Sequence, residues 1–300
     1  MTYKEDKAIM FKPEDLNAID NTIYEVKAEE LKARQLFNLK TNISPGAETH
    51  SYDVITRSGA AKILAPGADD IPLVETDMER HTIDIYSVAV GFRVGIQEMR
   101  NAQMTGRSID TTKAGVARRA IAEKENKIAW LGDPDYNIMG VLNTTGIQTF
   151  TLPTNEGGTS TNWADKTGME ILADLRAAKK KVNDLPGHKV DTLVLTNDGY
   201  EALQAPVSDY DTRPLLQYIN EAGWFNTIEQ APELSGAGDG DTDCFLMYDS
   251  SAEVSELLIP MDIMRHDEEY SFPHMKVPLE ERTGGVIIRY PQAFVRADGI

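Results

Sequence analysis

The sequence predicts an α+β protein, and three stretches of the chain carry that prediction. Apolar residues alternate along residues 81–95, which is typical of a half-buried strand. Residues 111–131 have the spacing of an amphipathic helix, which at about 20 residues would be roughly 30 Å long. Helical and strand-like runs then follow one another from residue 168 to the end of the chain. A long helix lying on a long strand is therefore the expected centre of the fold.

The composition is that of a folded protein with an acidic surface. The chain has 300 residues, of which 41% are apolar and 26% charged, enough for one large or two modest domains. Lys and Arg number 30 against 48 Asp and Glu, so the net charge is −18. This balance argues against a protein that binds nucleic acid by neutralising phosphates, but it allows a wall that merely encloses DNA.

Targeting and redox signals indicate synthesis and folding in a cytoplasm. Cys244 is the only cysteine, so no disulfide forms within the chain. The first residues are charged throughout and contain no apolar core of a signal peptide. No run approaches the ~18 consecutive apolar residues of a membrane span, so no membrane partner is expected.

The first 43 residues are predicted to form an arm. An apolar stripe at helical spacing starts with Leu16, Ile19 and Ile23 and continues to about Phe37. Two interpretations stay open for this amphipathic helix, since it could pack on its own domain or on a neighbouring subunit.

The next segment, about 44–80, is predicted to be extended. Glycine and proline punctuate short β-like runs at 52–56, 61–64 and 71–74. Two strands of this size bury too little apolar surface to be stable alone. The segment is therefore an ordinary loop, a functional excursion, or a hairpin completed by other subunits.

The predicted elements after this segment alternate in type. Asp110 is a good N-cap for helix 111–131, which should end at Gly132. The residues that should mark its buried side are Ala114, Ala117, Ile121 and Ile128. The remaining predictions are helices at 168–184, 198–203 and 215–222, strands at 191–196, 244–248 and 253–260, and two strands in the last 25 residues.

A search for catalytic, metal and cofactor motifs leaves no candidate that survives, so no catalytic residue, metal or cofactor is expected. The five histidines are scattered without metal-ligand spacing. Cys244 begins an apolar strand, where a free cysteine is usually a small hydrophobe. Asp239, Asp241 and Asp243 resemble the start of a calcium loop, but Cys244 and Ser250 stand where that loop needs glycine and glutamate. Residues 179–181 are consecutive lysines, which point in different directions and fit a solvated helix end.

Motifs in a consistent order over residues 50–147 resemble the encapsulin-like branch of tailed-phage major capsid proteins. Asp70–Ile71–Pro72 matches a "dip" segment in an extended loop, and Glu98 to Ala102 matches the step into a long helix. Gly132–Asp133 and Gly140–Val141–Leu142–Asn143 match the segment after that helix, with Val141 in place of the usual leucine.

The resemblance implies the HK97-like capsid fold. Its divisions here would be an N-terminal arm (1–43), an extended E-loop (44–80), a peripheral domain with a long spine helix (81–149 and 266–300) and an axial domain (150–265). The E-loop would lie across the adjacent subunit. Arm and loop residues expected at such contacts are Leu16, Ile19, Ile23, Val54, Ile55, Ile63 and Leu64.

The resemblance also implies assembly as the function. Identical subunits would close into pentamers and hexamers of an icosahedral virion shell around double-stranded DNA, without sequence-specific binding. A portal and a separate scaffolding protein are the expected partners besides the chain itself. Some relatives cross-link a loop lysine, but no motif here places a partner for Lys62, so no cross-link is predicted.

Two alternatives remain. An encapsulin has the same fold and encloses an enzyme cargo instead of DNA, and neighbouring genes would distinguish the two. A soluble enzyme with an α/β domain at 165–260 would need a convergent polar site, which no motif offers.

Overall fold

The longest helix in the described residues runs from Ile109 to Leu131, and its middle, residues 117–127, consists mostly of residues that favour helices. It ends at Gly132, whose φ of +70° is the left-handed conformation that glycine adopts most easily at a helix C-terminus. The expected N-cap, Asp110, is wrong, since the helix begins at Ile109, two residues before the predicted start, and Asp110 lies inside it. The computed structural model describes residues 30–63, 73–105, 109–208 and 210–300. None of the helices in these ranges is both long and apolar enough for a membrane span.

Helices and strands are numbered along the described residues. The helices are α1 (Ala33–Leu36), α2 (Ile96–Thr105), α3 (Ile109–Leu131), α4 (Gly168–Asn183), α5 (Asn197–Ala202) and α6 (Leu215–Glu221). The strands are β1 (Asn38–Lys40), β2 (Thr49–Ser58), β3 (Glu75–Asp84), β4 (Tyr86–Gly95), β5 (Gly132–Asp133), β6 (Ile138–Met139), β7 (Gln148–Thr151), β8 (Thr192–Leu195), β9 (Thr227–Gln230), β10 (Cys244–Tyr248), β11 (Ser255–Leu258), β12 (Met261–Arg265), β13 (Glu269–Ser271), β14 (His274–Thr283), β15 (Gly285–Ile288) and β16 (Phe294–Asp298).

A five-stranded sheet in the order β7-β16-β10-β8-β9 forms the centre of the C-terminal half. Every residue of β8 and β10 is buried, which explains why both strands are continuous apolar runs. Helix α4 covers the sheet with Ile171, Leu175 and Val182. Its first turn carries a capping box between Thr167 and Glu170, which satisfies backbone N–H groups at the helix start.

The long helix lies on a long strand, as the sequence predicts. Strand β4 pairs antiparallel with β14 over ten residues, and β12 and β13 flank β14 on its other edge. Ala117 and Ile121 of α3 pack on this sheet against Leu279, with Val88 and Phe92 beside them. The helix and sheet thus bury a common apolar layer.

A second core joins residues 31–40 to the body. Strand β1 runs parallel to β11, which pairs antiparallel with β15. Phe37 stacks on Tyr248 with ring centroids 5.6 Å apart and meets Trp130 edge-on at 5.8 Å. Tyr248 donates a hydrogen bond to the Leu36 carbonyl at 2.9 Å, so the segment is fixed by apolar and polar contacts together.

The predicted strand 81–95 is two strands with different partners. It breaks at Ile85, whose N–H donates to the Glu48 carbonyl at 2.8 Å. Residues before the break pair with β2, and residues after it pair with β14. Apolar alternation changes phase at this point, from Ile83 and Ile85 to Tyr86 and Val88, but the pattern does not reveal which strand each half pairs with.

Several element boundaries also differ from the predictions. The run 61–64 is not a strand in its described residues, Ala61 to Ile63, and Leu64 lies outside the described residues. The last 25 residues hold parts of three strands instead of two, because Gly284 separates β14 from β15. Thr196 caps α5 by accepting from the Gly199 N–H at 3.1 Å. Of the helix expected to reach Phe37, the described part contains only Ala33–Leu36.

The division into arm, E-loop, peripheral and axial domains stays a prediction. One observation bears on the predicted boundary between residues 265 and 266. Strand β16 lies between β7 and β10 in the five-stranded sheet. The last strand of segment 266–300 therefore pairs with Cys244–Tyr248, which belongs to segment 150–265.

Candidate assembly surface

Strands β2 and β3 form a long hairpin. They pair antiparallel from Thr49 with Asp84 to Ser58 with Glu75, and ten residues of strand span about 33 Å. Within the described residues neither strand pairs with any other. An isolated two-stranded ribbon is marginally stable in water, so the hairpin lacks the cover that strands normally have.

One face of the hairpin places an ion pair beside an apolar pair. Arg80 donates to both carboxylate oxygens of Asp53, at 2.7 and 3.0 Å, and this guanidinium lowers the pKa of the Asp53 carboxyl. The next pair on the same face is Ile55 with Met78. Ile55 is 54% exposed and Met78 is 63% exposed, so the two side chains form an apolar step open to solvent.

The opposite face is acidic towards its outer end. Glu75, Asp77 and Glu79 alternate along β3, so all three project from this face, and all are exposed. We call these three residues the acidic ladder. Nearer the body, Tyr52 stacks on His81 with ring centroids 5.4 Å apart.

The base of the hairpin is anchored to the body. Ile83 and Tyr52 pack against the buried cluster of Ile85, Leu258 and Ile287. Arg289 lies over the Tyr52 ring at 5.6 Å, and burial raises the pKa of the Tyr52 hydroxyl. A cavity of about 410 Å³ lies beside this anchor, and its lining includes Val54, His81, Asn137, Thr144, Thr145 and Pro291. The hairpin thus projects from a fixed base.

The structure places only part of the expected contact set. Ile55 and Ile63 are exposed, with Ile63 at 96%, whereas Val54 is half-buried at the cavity. Leu16, Ile19, Ile23 and Leu64 lie outside the described residues. Whether any of them touches a neighbouring subunit stays a prediction.

Three exposed apolar residues of the hairpin region were not among the predicted contact residues. They are Leu73, Val74 and Met78. Met78 lies among charged residues and shows no apolar alternation, so its position opposite Ile55 follows only from the pairing register.

Cys244 and the acidic turn before it make contacts within the fold. The Cys244 thiol is buried, donates to the Leu234 carbonyl at 3.4 Å, and its pKa rises to about 12 because of burial. Asp243 accepts from the Ser235 hydroxyl and the Gly236 N–H at 2.9 Å each. Among the described residues, no group of three histidine, cysteine or acidic side chains could hold a metal ion.

The lysine run at the end of α4 is less solvated than expected. Lys179 is half-buried, donates to the Trp224 carbonyl and lies 4.7 Å from the centroid of the Phe225 ring. Lys181 donates to the Thr149 carbonyl at 2.8 Å. Only Lys180 fits the predicted solvated helix end without such a contact.

Solved structures from phages and from a virus-like particle have a similar fold. The chain in the capsid of Myoviridae phage XM1 matches with a TM-score of 0.82 at 12% identity, covering 97% of this chain and 99% of that one. A Mycobacterium phage Bobi chain matches with a TM-score of 0.66 at 17% identity, covering 95% and 96%. The virus-like particle of Pyrococcus furiosus matches with a TM-score of 0.61 at 15% identity, covering 88% and 91%.

The long hairpin, the helix lying on its strand and these likenesses together define the HK97-like fold of phage capsid subunits. A family model described as "Major capsid protein" also matches residues 59–300. The chain belongs to the major capsid protein family, and it is a structural protein of bacteriophage-type shells.

Proposed function

We propose that this chain assembles into pentamers and hexamers, which close into an icosahedral shell around double-stranded DNA. The observation that carries the proposal is the projecting hairpin, with Ile55 and Met78 exposed on one face. A second copy of the chain would cover this apolar step, and removing it from water stabilises the contact by ~25 cal/mol per Å². Heterologous contacts of this kind close into rings when the rotation between neighbours allows it.

The acidic chain suits a container for DNA. A net charge of −18 disfavours tight binding to phosphates, so the packaged polymer would be enclosed without sequence-specific contacts. Synthesis and assembly in a bacterial cytoplasm, a separate scaffolding protein and a portal belong to the same proposal. The likeness to a virus-like particle supports a second candidate, a compartment that encloses an enzyme cargo.

The first test is electron microscopy of the full chain, expressed with and without its scaffolding protein. Closed shells, or rings of five and six subunits, support the proposal, and a persistent monomer under both conditions contradicts it. DNA inside particles recovered from infected cells supports the virus, whereas a protein cargo supports the compartment.

Substitution of Ile55 tests the role of the hairpin. Ile55→Asp introduces a charge into the apolar step. We expect each contact to weaken by at least ~1.4 kcal/mol, which is tenfold in its equilibrium constant, and particle yield to fall as a result. Met169→Asp is the matched control. Met169 is exposed to a similar extent, at 59%, and it lies in the first turn of α4, where an acidic residue is favourable. Equal yields from the two variants would contradict a role for the hairpin in assembly.

A further inference from the structure

A charged cluster lies between the segment 31–37 and the long helix α3. Arg34 of α1 donates to Glu125 of α3 at 2.7 Å and to Glu281 of β14 at 2.8 Å. It also donates to Asp262 of β12 at 2.9 Å. Three carboxyl groups from three elements therefore face one guanidinium.

Two of these carboxyl groups are fully buried. The Glu281 side chain is 0% exposed and that of Glu125 is 2% exposed, whereas Asp262 reaches solvent at 72%. Burial next to water-excluding residues disfavours a charged carboxylate unless it is fully paired. One guanidinium donates to both buried groups but carries a single positive charge, so it cannot neutralise two buried carboxylates.

A proton on Glu281 resolves this imbalance. Its Oε2 atom is buried and accepts no hydrogen bond from the described donors, while the Glu125 carboxyl lies within hydrogen-bonding reach. Protonated, the Glu281 carboxyl becomes a donor to Glu125, and its other oxygen still accepts from Arg34. Burial, reinforced by Glu125, raises the pKa of the Glu281 carboxyl to about 9.

In the part of the chain that the structure describes, the polar groups beside the cluster are directed elsewhere. Glu280 and Arg282, on either side of Glu281 in β14, point to the opposite face of the sheet. Asn126, next to Glu125, is neutral; it accepts from the Ala33 N–H at 3.1 Å and donates to Glu233. Lys32 pairs with Glu229 at 3.1 Å.

We propose that Arg34, Glu125, Glu281 and Asp262 form a proton-holding clasp, which fastens residues 31–37 to the long helix and opens as the solution becomes alkaline. Ala33, Leu36 and Phe37 are buried in the core and also hold this segment in place. Loss of the clasp therefore shifts the equilibrium between the attached and the detached segment while the rest of the fold persists. In a capsid subunit the clasp would make the attachment of the N-terminal arm depend on pH.

The sign follows from the proton released on opening. When the segment detaches, water reaches Glu281, whose carboxyl then ionises near its ordinary pKa of about 4.3. Because burial is the largest cause of the raised pKa, hydration outweighs the loss of Arg34. Between pH 6 and about 8 the closed form therefore holds one proton that the open form lacks, and the clasp is most stable at the acidic end of that range.

Amide hydrogen exchange of the full chain tests the clasp. The Leu36 and Phe37 amides, which donate to Lys32 and Ala33 carbonyls, report the opening. After correction for chemical exchange rates, their opening constants should rise up to about tenfold per pH unit between about pH 6 and 8. Glu281→Gln mimics the protonated carboxyl, so its opening constants should not change with pH.

Two further variants make the test independent of one substitution. Glu125→Gln leaves one buried carboxylate beside Arg34, so it should flatten the pH dependence as well. Glu123→Gln removes an exposed carboxylate from the same helix and should keep the wild-type slope. A flat wild-type profile, or glutamine variants at 281 and 125 as steep as wild type, would overturn the clasp.

Discussion

At the scale of single residues, buried charges in this chain depend on specific partners. Lys166 and Asp174 are 1% and 3% exposed and lie 2.6 Å apart, and the Trp163 indole N–H also donates to Asp174 at 3.1 Å. Lys166→Met would leave a buried carboxylate with one neutral donor. We expect the free energy of unfolding at pH 7 to fall by ~3–5 kcal/mol, measured by urea denaturation.

The same substitution at an exposed lysine of α4 is the control. Lys180→Met should change the free energy of unfolding by no more than ~0.5 kcal/mol. Burial raises the pKa of the Asp174 carboxyl, so protonation relieves the unpaired charge and the deficit of Lys166→Met should shrink from pH 8 to pH 5. A deficit that stays constant over this range would contradict the unpaired carboxylate as its cause.

At the scale of elements, the end of the long helix depends on one glycine. A Cβ on Gly132 would lie 2.2 Å from the Ile138 carbonyl oxygen and 2.5 Å from the Gly140 nitrogen. Gly187 also has a positive φ, of +86°, but a Cβ there meets no atom within 4 Å. Gly187→Ala should therefore cost only the backbone strain of ~1–2 kcal/mol. Gly132→Ala should cost at least ~2 kcal/mol more in thermal unfolding, and equal losses would contradict the close approach as the cause.

Elements defined by local sequence were predictable, and contacts between distant residues were not. Helices α3 and α4 have helical periodicity, so their bounds were predicted within two residues, although the predicted N-cap of α3, Asp110, was wrong. A change of phase in the apolar alternation marks the break at Ile85, but the partner of each half depends on residues of β2 and β14. The clasp joins residues 91 and 247 positions apart, so no local pattern could have indicated it.

The contact surface was likewise predictable in its local features but not in its long-range contacts. The sequence indicated that the segment 44–80 is extended and lacks a core of its own, because its apolar runs are short and are interrupted by glycine and proline. It could not indicate that Ile55 lies opposite Met78, since register depends on the hairpin turn and on the anchor at Tyr52 and Ile83.

At the scale of the whole molecule, the net charge of −18 opposes the association of identical subunits. Salt shortens the range of this repulsion, from about 10 Å at 0.1 M to about 3 Å at 1 M, but leaves apolar contacts intact. If the Ile55–Met78 step supplies the attraction, particle yield should rise between about 0.05 and 0.5 M NaCl, measured by light scattering and microscopy. Ile55→Asp should remain unassembled at the higher concentration, because screening cannot restore the lost apolar contact.

The opposite salt response would identify a different attraction. Yield that falls with salt would mean that ion pairs between subunits dominate, and the acidic ladder of Glu75, Asp77 and Glu79 is the exposed group on the hairpin that could form them. Changing all three residues to glutamine should then lower the yield at low salt, because the ion pairs are lost, whereas under the apolar interpretation it should raise that yield, because each subunit loses three negative charges. The two interpretations therefore predict opposite effects of one variant on the same measurement.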